Sequence, residues 1–216
     1  MSLKVNEIFH SIQGESTHAG RPCVFIRLTG CNLRCAYCDT RYAYDEGEQM
    51  EISRVLERVS AFGCGLIEVT GGEPLIQEET PGLVSALLSE GYTVLLETNG
   101  SLDIDRVDAG CARIVDVKCP SSGMAERNDP LNLERLTEGD ELKFVIGSRE
   151  DYEFAEKVLL SSAGVLAAAR CAINFSPVFG AISPRTLAEW IIEDRLPVRL
   201  NIQLHKIIWE PDARSV

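Results

Sequence analysis

Several features are scarce in this chain, and each scarcity excludes something. No run of Lys and Arg occurs, and 21 basic residues face 33 acidic ones, for a net charge of −12. Nucleic-acid binding needs concentrated positive charge to replace phosphate counterions, so no nucleic-acid partner is expected. No apolar stretch approaches the roughly 20 residues that span a bilayer, so no membrane partner is expected either. The opening Met1-Ser2-Leu3-Lys4 has no apolar signal core, which points to a cytoplasmic protein. Aromatic residues are only 6% of the 216, and there are three histidines. Low-complexity tracts, internal repeats and linkers are missing, so the economical reading is one domain.

What the chain does have is eight cysteines. Four of them, Cys23, Cys64, Cys111 and Cys171, lie in or near apolar runs and read as small buried hydrophobes. Cys119, beside Lys118, is also expected to be buried. The remaining three form a Cys31-x3-Cys35-x2-Cys38 run on a polar loop that carries Asn32, Arg34 and Asp39. In a cytosolic enzyme such a cluster reads as a metal site rather than as disulfides.

The loop follows one of a series of β-rich runs, at 24–28, 66–70, 93–97, 113–118, 141–146, 172–175 and 198–202. Helical periodicity lies between them. Ile52, Val55, Leu56, Val59 and Phe62 put a helix at 51–62. Others fall at 81–90, at 149–160 behind a Ser148 cap, and from Ser183-Pro184 with Leu187, Trp190 and Ile191 inward. The polar stretch 117–135 reads as a long loop. Strands separated by single helices imply parallel pairing, here an α/β sheet curled toward a partial barrel. Functional groups in such folds gather at the carboxyl ends of the strands, and each motif of this chain follows a strand.

Three soft thiolates on one loop suit zinc or an iron–sulfur cluster. Structural zinc takes four ligands, and the second cysteine pair is missing. The zinc reading would need a distant His10, His18 or His205 and would make the chain a non-catalytic module. Three thiolates on a cubane instead leave one iron open. That iron can be chelated by the amino and carboxylate groups of a methionine moiety, and an electron from the cluster can break the adjacent sulfonium C–S bond; the adenosyl radical so formed abstracts hydrogen.

The cysteine run in this strand-end setting, followed by Thr70-Gly71-Gly72-Glu73-Pro74, resembles the radical S-adenosylmethionine superfamily from about residue 24 to residue 179. The resemblance implies a [4Fe–4S] cluster on Cys31, Cys35 and Cys38, and an incomplete (β/α)6 barrel. It implies S-adenosylmethionine contacts at Tyr37, just before the third cysteine, and at Cys38 and Asp39. Gly72 and Glu73 should receive the methionine ammonium, and Asp116, Val117, Lys118 and Ser176 should add further contacts.

The ends of the chain narrow this. Glu7 to Ser16, Gly20-Arg21-Pro22, Cys38-Asp39-Thr40, Leu96-Glu97-Thr98-Asn99-Gly100 and Gln203-Leu204-His205-Lys206 with Trp209 together resemble the 7-carboxy-7-deazaguanine synthases. This likeness covers nearly the whole chain. It implies residues 1–216 as one core domain with short N- and C-terminal substrate-binding segments. It further implies ring contraction of 6-carboxy-5,6,7,8-tetrahydropterin with loss of ammonia, on the route to queuosine and related 7-deazapurines. Mg2+ on Thr40, regeneration of S-adenosylmethionine, a reductant such as flavodoxin or ferredoxin, and a homodimer belong to the same expectation.

The substrate would be held by Ile12, Gln13, Gly14, Glu15, Arg27, Thr70, Glu97 and His205. The residues suit the task. A pterin edge needs fixed donors and acceptors, which a Gln13-Gly14-Glu15 arm can give. A carboxylate suits the guanidinium fork of Arg27, whose charge inside an apolar strand needs a use. One departure is Ser176-Pro177, where the family often has Gln-Pro. An enzyme that installs a glycyl radical on a partner protein would share the cluster loop. It should lack the Gln13–Glu15 arm, Arg27 and the LETNG segment, and it would need an open face for a protein loop.

Overall fold

The computed structural model describes residues 2–216. Nine strands form one sheet: β1 (Ser2–Ile12), β2 (Pro22–Leu28), β3 (Glu48–Glu51), β4 (Leu66–Gly71), β5 (Thr93–Thr98), β6 (Ala112–Val117), β7 (Glu141–Ile146), β8 (Ala172–Pro177) and β9 (Arg199–Leu200). Their order is β3-β1-β2-β4-β5-β6-β7-β8-β9. Pairing is parallel from β2 through β9, as the alternation of strands and helices required. Only β1 and β3 run antiparallel, against β2 and β1. The sheet is open and mostly parallel, and the expected partial barrel is the observed architecture.

Helices α1 (Ile52–Ser60), α2 (Thr80–Ser89), α4 (Arg149–Ser161) and α6 (Pro184–Asp194) correspond to the four periodic segments, and α3 (Asn132–Arg135), α5 (Ala163–Ala169) and α7 (His205–Ile208) are short additions. Ser148 caps α4 by accepting from the Asp151 N–H, and Ser183 caps α6 by accepting from Thr186. Tyr152, Ala155, Leu187 and Ile191 are buried as their spacing required.

The two faces of the sheet differ sharply. On the helix side, Val24, Ile26, Leu28, Ile67, Val69, Val94, Leu96, Val115, Leu142, Phe144 and Phe175 join the main core. On the inner side the strands start apolar, with Phe25, Leu66, Leu95 and Ile114 in a second small cluster on which Phe9 packs. The next inward positions carry Arg27, Glu68, Glu97, Asp116 and Lys143. Side chains alternate faces with a period of two, so this charge belongs to the inner face at the carboxyl ends and spares the core.

Strand β1 lies outside the segments that periodicity revealed. Its register shifts between Val5 and Glu7, and the bulge reverses the alternation: Leu3, Val5 and Ile8 face the core while Glu7 pairs beside Arg27. A simple period-two search fails on such a strand. Past its end, residues 13–20 cross the open side of the sheet. Gln13 donates to Glu68 on β4, while the backbone N–H and hydroxyl of Thr17 donate to Glu141 on β7 at 2.8 and 2.6 Å.

Candidate active site

A cavity of about 730 Å3 opens at the carboxyl ends of the strands. Cys31, Cys35 and Cys38 line it, together with Tyr37, Asp39, Thr40, Gly72, Asp116, Lys118 and Ser176. Ile12, Gln13, Gly14, Glu15, Arg27, Thr70, Glu97 and His205 line it as well. Two of the expected contact residues do not. Val117 points to the helix-side core, because it lies one position out of phase with Asp116. Glu73 is fully buried; its carboxylate accepts from the Leu75 N–H, the Thr98 hydroxyl and the Asn99 N–H at 3.0, 2.8 and 2.6 Å. Burial pushes this carboxyl up, against those donors. The side chain that sequence assigned to an ammonium thus ties β4 to β5, and the segment presents the backbone of Gly71 and Gly72 to the cavity instead.

The cluster side is built by close backbone approach. A Cβ on Gly72 would meet Gly30 O at 2.4 Å and the Cys31 Cβ at 2.6 Å, so only glycine fits there. The Glu73 N–H donates to Gly30 O at 2.8 Å. Asn99, from the LETNG segment, donates to Asn32 Oδ1 at 3.0 Å and to Cys31 Sγ at 3.8 Å, and the Leu33 N–H lies 3.4 Å from the same sulfur. N–H groups aimed at sulfur suit a thiolate. Two buried oxygens on the lining, Tyr37 Oη and Asp116 Oδ1, have no hydrogen-bond partner among the described residues. Asp116 Oδ2 is held by Lys118 Nζ at 2.6 Å. Orphaned polar atoms beside three thiols fit a polar cofactor bound on a cluster. Cys23, Cys111 and Cys119 are buried, and Cys64 and Cys171 pack partly buried against the core.

The substrate side is built from charges on separate strands. Arg27 Nε donates to Glu7 Oε1 at 2.8 Å, and Tyr42 and Ser215 also donate to Glu7. The terminal nitrogens of Arg27 carry no protein hydrogen bond among the described residues, so the end of the fork faces the cavity. Lys143 lies between Glu97 and Glu15, 3.0 Å from Glu15 Oε2. Gln203 donates to Glu15 Oε1 at 2.9 Å, and Gln13 accepts from the Glu15 N–H at 2.9 Å. Burial works against ionisation of Glu15, but Lys143 and Gln203 outweigh it and hold the carboxyl below its usual range. Glu68 is the opposite case: burial, then the Glu97 charge, raises it well above that range.

Chain ends close the site. The Leu204 N–H donates to Gly14 O at 3.0 Å, and a Cβ on Gly14 would strike His205 Nδ1 at 2.3 Å. Burial lowers the His205 imidazole, leaving it neutral near pH 7. Lys206 reaches Asp39 Oδ2 at 2.6 Å, and Thr40 donates to Asp39 Oδ1 at 2.9 Å. Burial would raise Asp39, yet Lys206 and Thr40 hold it at about 2. Residues 211–216 line the cavity too. Ser176 accepts from Asn201 Nδ2 at 2.9 Å, which occupies part of its capacity where the Gln-Pro pair was expected.

Sequence reasoning missed Glu68 and Lys143. The signal was present: each is a charge inside an apolar strand, the same argument that singled out Arg27. It also missed Glu7, Tyr42, Asn99 and Gln203 as supports, since their roles depend on contacts across the fold.

Residues 25–115 match the radical SAM superfamily profile. Over 217 residues the chain is 51% identical to the 7-carboxy-7-deazaguanine synthase of Chlorobaculum tepidum, covering 99% of this chain and 97% of that one. The chain belongs to the 7-carboxy-7-deazaguanine synthase family. A second synthase, from Koribacter versatilis, is 41% identical over 228 residues, covering 99% of this chain and all of the relative. The crystal structure of QueE from Escherichia coli superposes with a TM-score of 0.78 at 25% identity, over 95% of each chain. As a member of the 7-carboxy-7-deazaguanine synthases, the chain is a radical S-adenosylmethionine lyase, with a [4Fe–4S] cluster and S-adenosylmethionine as cofactors. Streptococcus suis SuiB bound to S-adenosylmethionine shares the fold alone, with a TM-score of 0.53 at 12% identity. Among the described residues no helix is long and apolar enough to cross a membrane.

Proposed function

We propose that this chain converts 6-carboxy-5,6,7,8-tetrahydropterin to 7-carboxy-7-deazaguanine with loss of ammonia, in queuosine and 7-deazapurine synthesis. The observation that supports it best is one cavity lined both by the three thiols and by Arg27 together with a Glu15–Lys143–Glu97 group.

Cys31, Cys35 and Cys38 would hold the cluster, whose fourth iron and bound S-adenosylmethionine supply reductive C–S cleavage and hydrogen abstraction from carbon. The Gly71–Gly72 backbone, Tyr37, Asp116, Lys118 and Ser176 would orient that cofactor. Arg27 receives the substrate carboxylate through its terminal nitrogens, while Glu7 fixes the guanidinium plane. Glu15, Glu97 and Gln13 meet the donor edge of the pterin ring, and His205 and residues 211–216 exclude water above it. Thr40 Oγ1, beside Asp39, offers oxygen to Mg2+, a hard cation that keeps several waters. Lys206 Nζ lies 2.6 Å from Asp39 Oδ2 on the same side of the site. A one-electron carrier such as flavodoxin or ferredoxin would be the reductant, and the chain would act as a cytoplasmic homodimer.

A cavity roofed by the chain's own C-terminal residues suits a small molecule better than the glycine loop of a partner protein. His10 and His18 lie outside the lining; His10 packs against Phe62, and His18 contacts Arg21. Neither supports a zinc knuckle. The test is an anaerobic incubation of the reconstituted enzyme with reductant, S-adenosylmethionine and the carboxypterin. Formation of 7-carboxy-7-deazaguanine and ammonia is expected; intact pterin with full cofactor cleavage would refute the assignment.

A further inference from the structure

Among the cations that line the cavity, Lys143 is the one that bridges two acids from separate elements, and neither the cluster nor the Arg27 contact uses it. Lys143 sits in the middle of β7, in Glu141-Leu-Lys-Phe-Val-Ile146, and its side chain is 7% exposed. Its two partners come from separate elements of the fold. Glu97 lies near the carboxyl end of β5, whereas Glu15 lies on the arm that crosses the open side of the sheet. Lys143 Nζ is 3.0 Å from Glu15 Oε2 and also contacts Glu97 Oε1. Glu15 is further fixed by Gln203 at 2.9 Å and Asn201 at 3.4 Å, both after β8. Glu97 is approached by the Thr70 hydroxyl at 3.5 Å.

One ammonium between two carboxylates leaves a surplus negative charge at that end of the cavity. A further acid, Glu68, is buried against Gln13, and burial raises its carboxyl, which disfavours another negative charge there. The other facing groups are Arg27, paired with Glu7, Asp116, paired with Lys118, and His205, whose imidazole burial holds low and which gains positive charge beside Glu15 only as pH falls, favouring an ionised Glu15. A pair of carboxylates held apart by a shared ammonium suits a flat ring that presents adjacent N–H donors, as an amidine or guanidine edge does.

We propose that Lys143 is the positioning residue of the substrate pocket: it docks the Glu15 arm against β5 and holds the Glu15 carboxylate in place as an acceptor for the ring's N–H edge. The inference rests on the reading that Glu15 and Glu97 face substrate. Lys143 touches no reacting atom. Its loss would leave Glu15 buried without its chief counter-charge, and burial would then raise that carboxyl.

The sign follows. A raised Glu15 binds its proton as pH falls, and a protonated carboxyl turns one acceptor site into an O–H donor and loses its charge. Substrate affinity in a Lys143 variant should therefore be weakest at low pH and recover as pH rises. In the native protein the same carboxyl sits below its usual range, so affinity should not show this titration.

The test measures carboxypterin affinity of reconstituted Lys143→Met, Lys143→Met/Glu97→Gln and Glu97→Gln enzymes between pH 5.5 and 8.5. Iron content and melting curves serve as checks on folding. The double variant removes one acid with the cation, so it keeps the test alive if the single variant fails to fold. Both Lys143 variants should lose roughly 10-fold or more in affinity at pH 6 relative to pH 8.5, with KM carrying the change and kcat moving less. A flat pH profile in the folded Lys143 variants would overturn the proposal. If Glu97→Gln also left affinity untouched, the reading of the carboxylate pair as a substrate contact would fail with it. Weakened binding in Glu97→Gln beside a flat Lys143 profile would overturn the Lys143 role alone.

Discussion

The two ends of the cavity are made in different ways. The cluster end is local: three cysteines in eight residues, with the Gly71–Gly72 turn pressed against Gly30 and Cys31. The substrate end is assembled from β1, β2, β4, β5, β7 and the segments after β8, and most of its groups are charges paired across the fold. A reactive group fixed by short loops can be held by backbone contacts that tolerate no extra atom. A polar substrate of defined outline needs donors and acceptors aimed from several directions, which here come from several strands and from the segments that cross the open side of the sheet.

The largest expected effect tests the cluster end. Cys35→Ala should lose iron and all cleavage of S-adenosylmethionine, whereas Cys111→Ala should retain its iron. Iron and sulfide analysis with the visible absorbance decides it; iron lost from Cys111→Ala but kept in Cys35→Ala would reverse the ligand set. Next comes Arg27→Lys at the substrate end. The lysine keeps charge and loses the fork, at a cost of about 1.5–3 kcal/mol for a charged hydrogen bond. Carboxypterin binding should weaken ~10–100-fold with the iron content unchanged. Unaltered affinity would mean that Arg27 serves only its Glu7 pair.

Legibility followed the same division. The cysteine run, the GGEP turn, the parallel strands β2 and β4–β8, and the four longer helices were readable because their signals are contiguous. The bulged β1 was not, since its alternation reverses between Val5 and Glu7. The burial of the Glu73 side chain was not legible for a related reason: its neighbours in space, Thr98 and Asn99, are some 25 residues away in sequence. Glu68 and Lys143 were legible by the rule that found Arg27, a buried charge in an apolar strand demanding a partner. The resemblance supplied Thr40 and His205; spacing alone did not.

Smaller effects refine the substrate end. Thr40→Val should slow turnover about as much as a chelator does on the parent enzyme, without bleaching the iron. Equal rates in metal-stripped and Mg2+-supplemented buffer would remove Thr40 from a metal role. The smallest effect belongs to Glu68→Gln. Glu68 is raised in the fold, so the folded state holds its proton while the unfolded chain releases it above about pH 4.3. Stability from this group is present at low pH and declines as pH rises. An amide avoids that decline and still accepts from Gln13. Glu68→Gln should melt a few degrees higher than the parent at pH 8, with the difference shrinking toward pH 5; a gain of ~1 kcal/mol corresponds to about 2–4 °C for a chain of this size. Melting curves that coincide at every pH would place an ionised Glu68 in the cavity.

The most direct test of the whole account is the ratio of 7-carboxy-7-deazaguanine formed to 5′-deoxyadenosine released, measured anaerobically in the parent enzyme and in Arg27→Lys at the same subsaturating carboxypterin concentration. A cavity that seats its substrate against the cluster end, and so lets S-adenosylmethionine be re-formed, predicts a ratio far above one in the parent and a clear fall in the variant. A ratio near or below one in the parent, or the same ratio in both proteins, would contradict it.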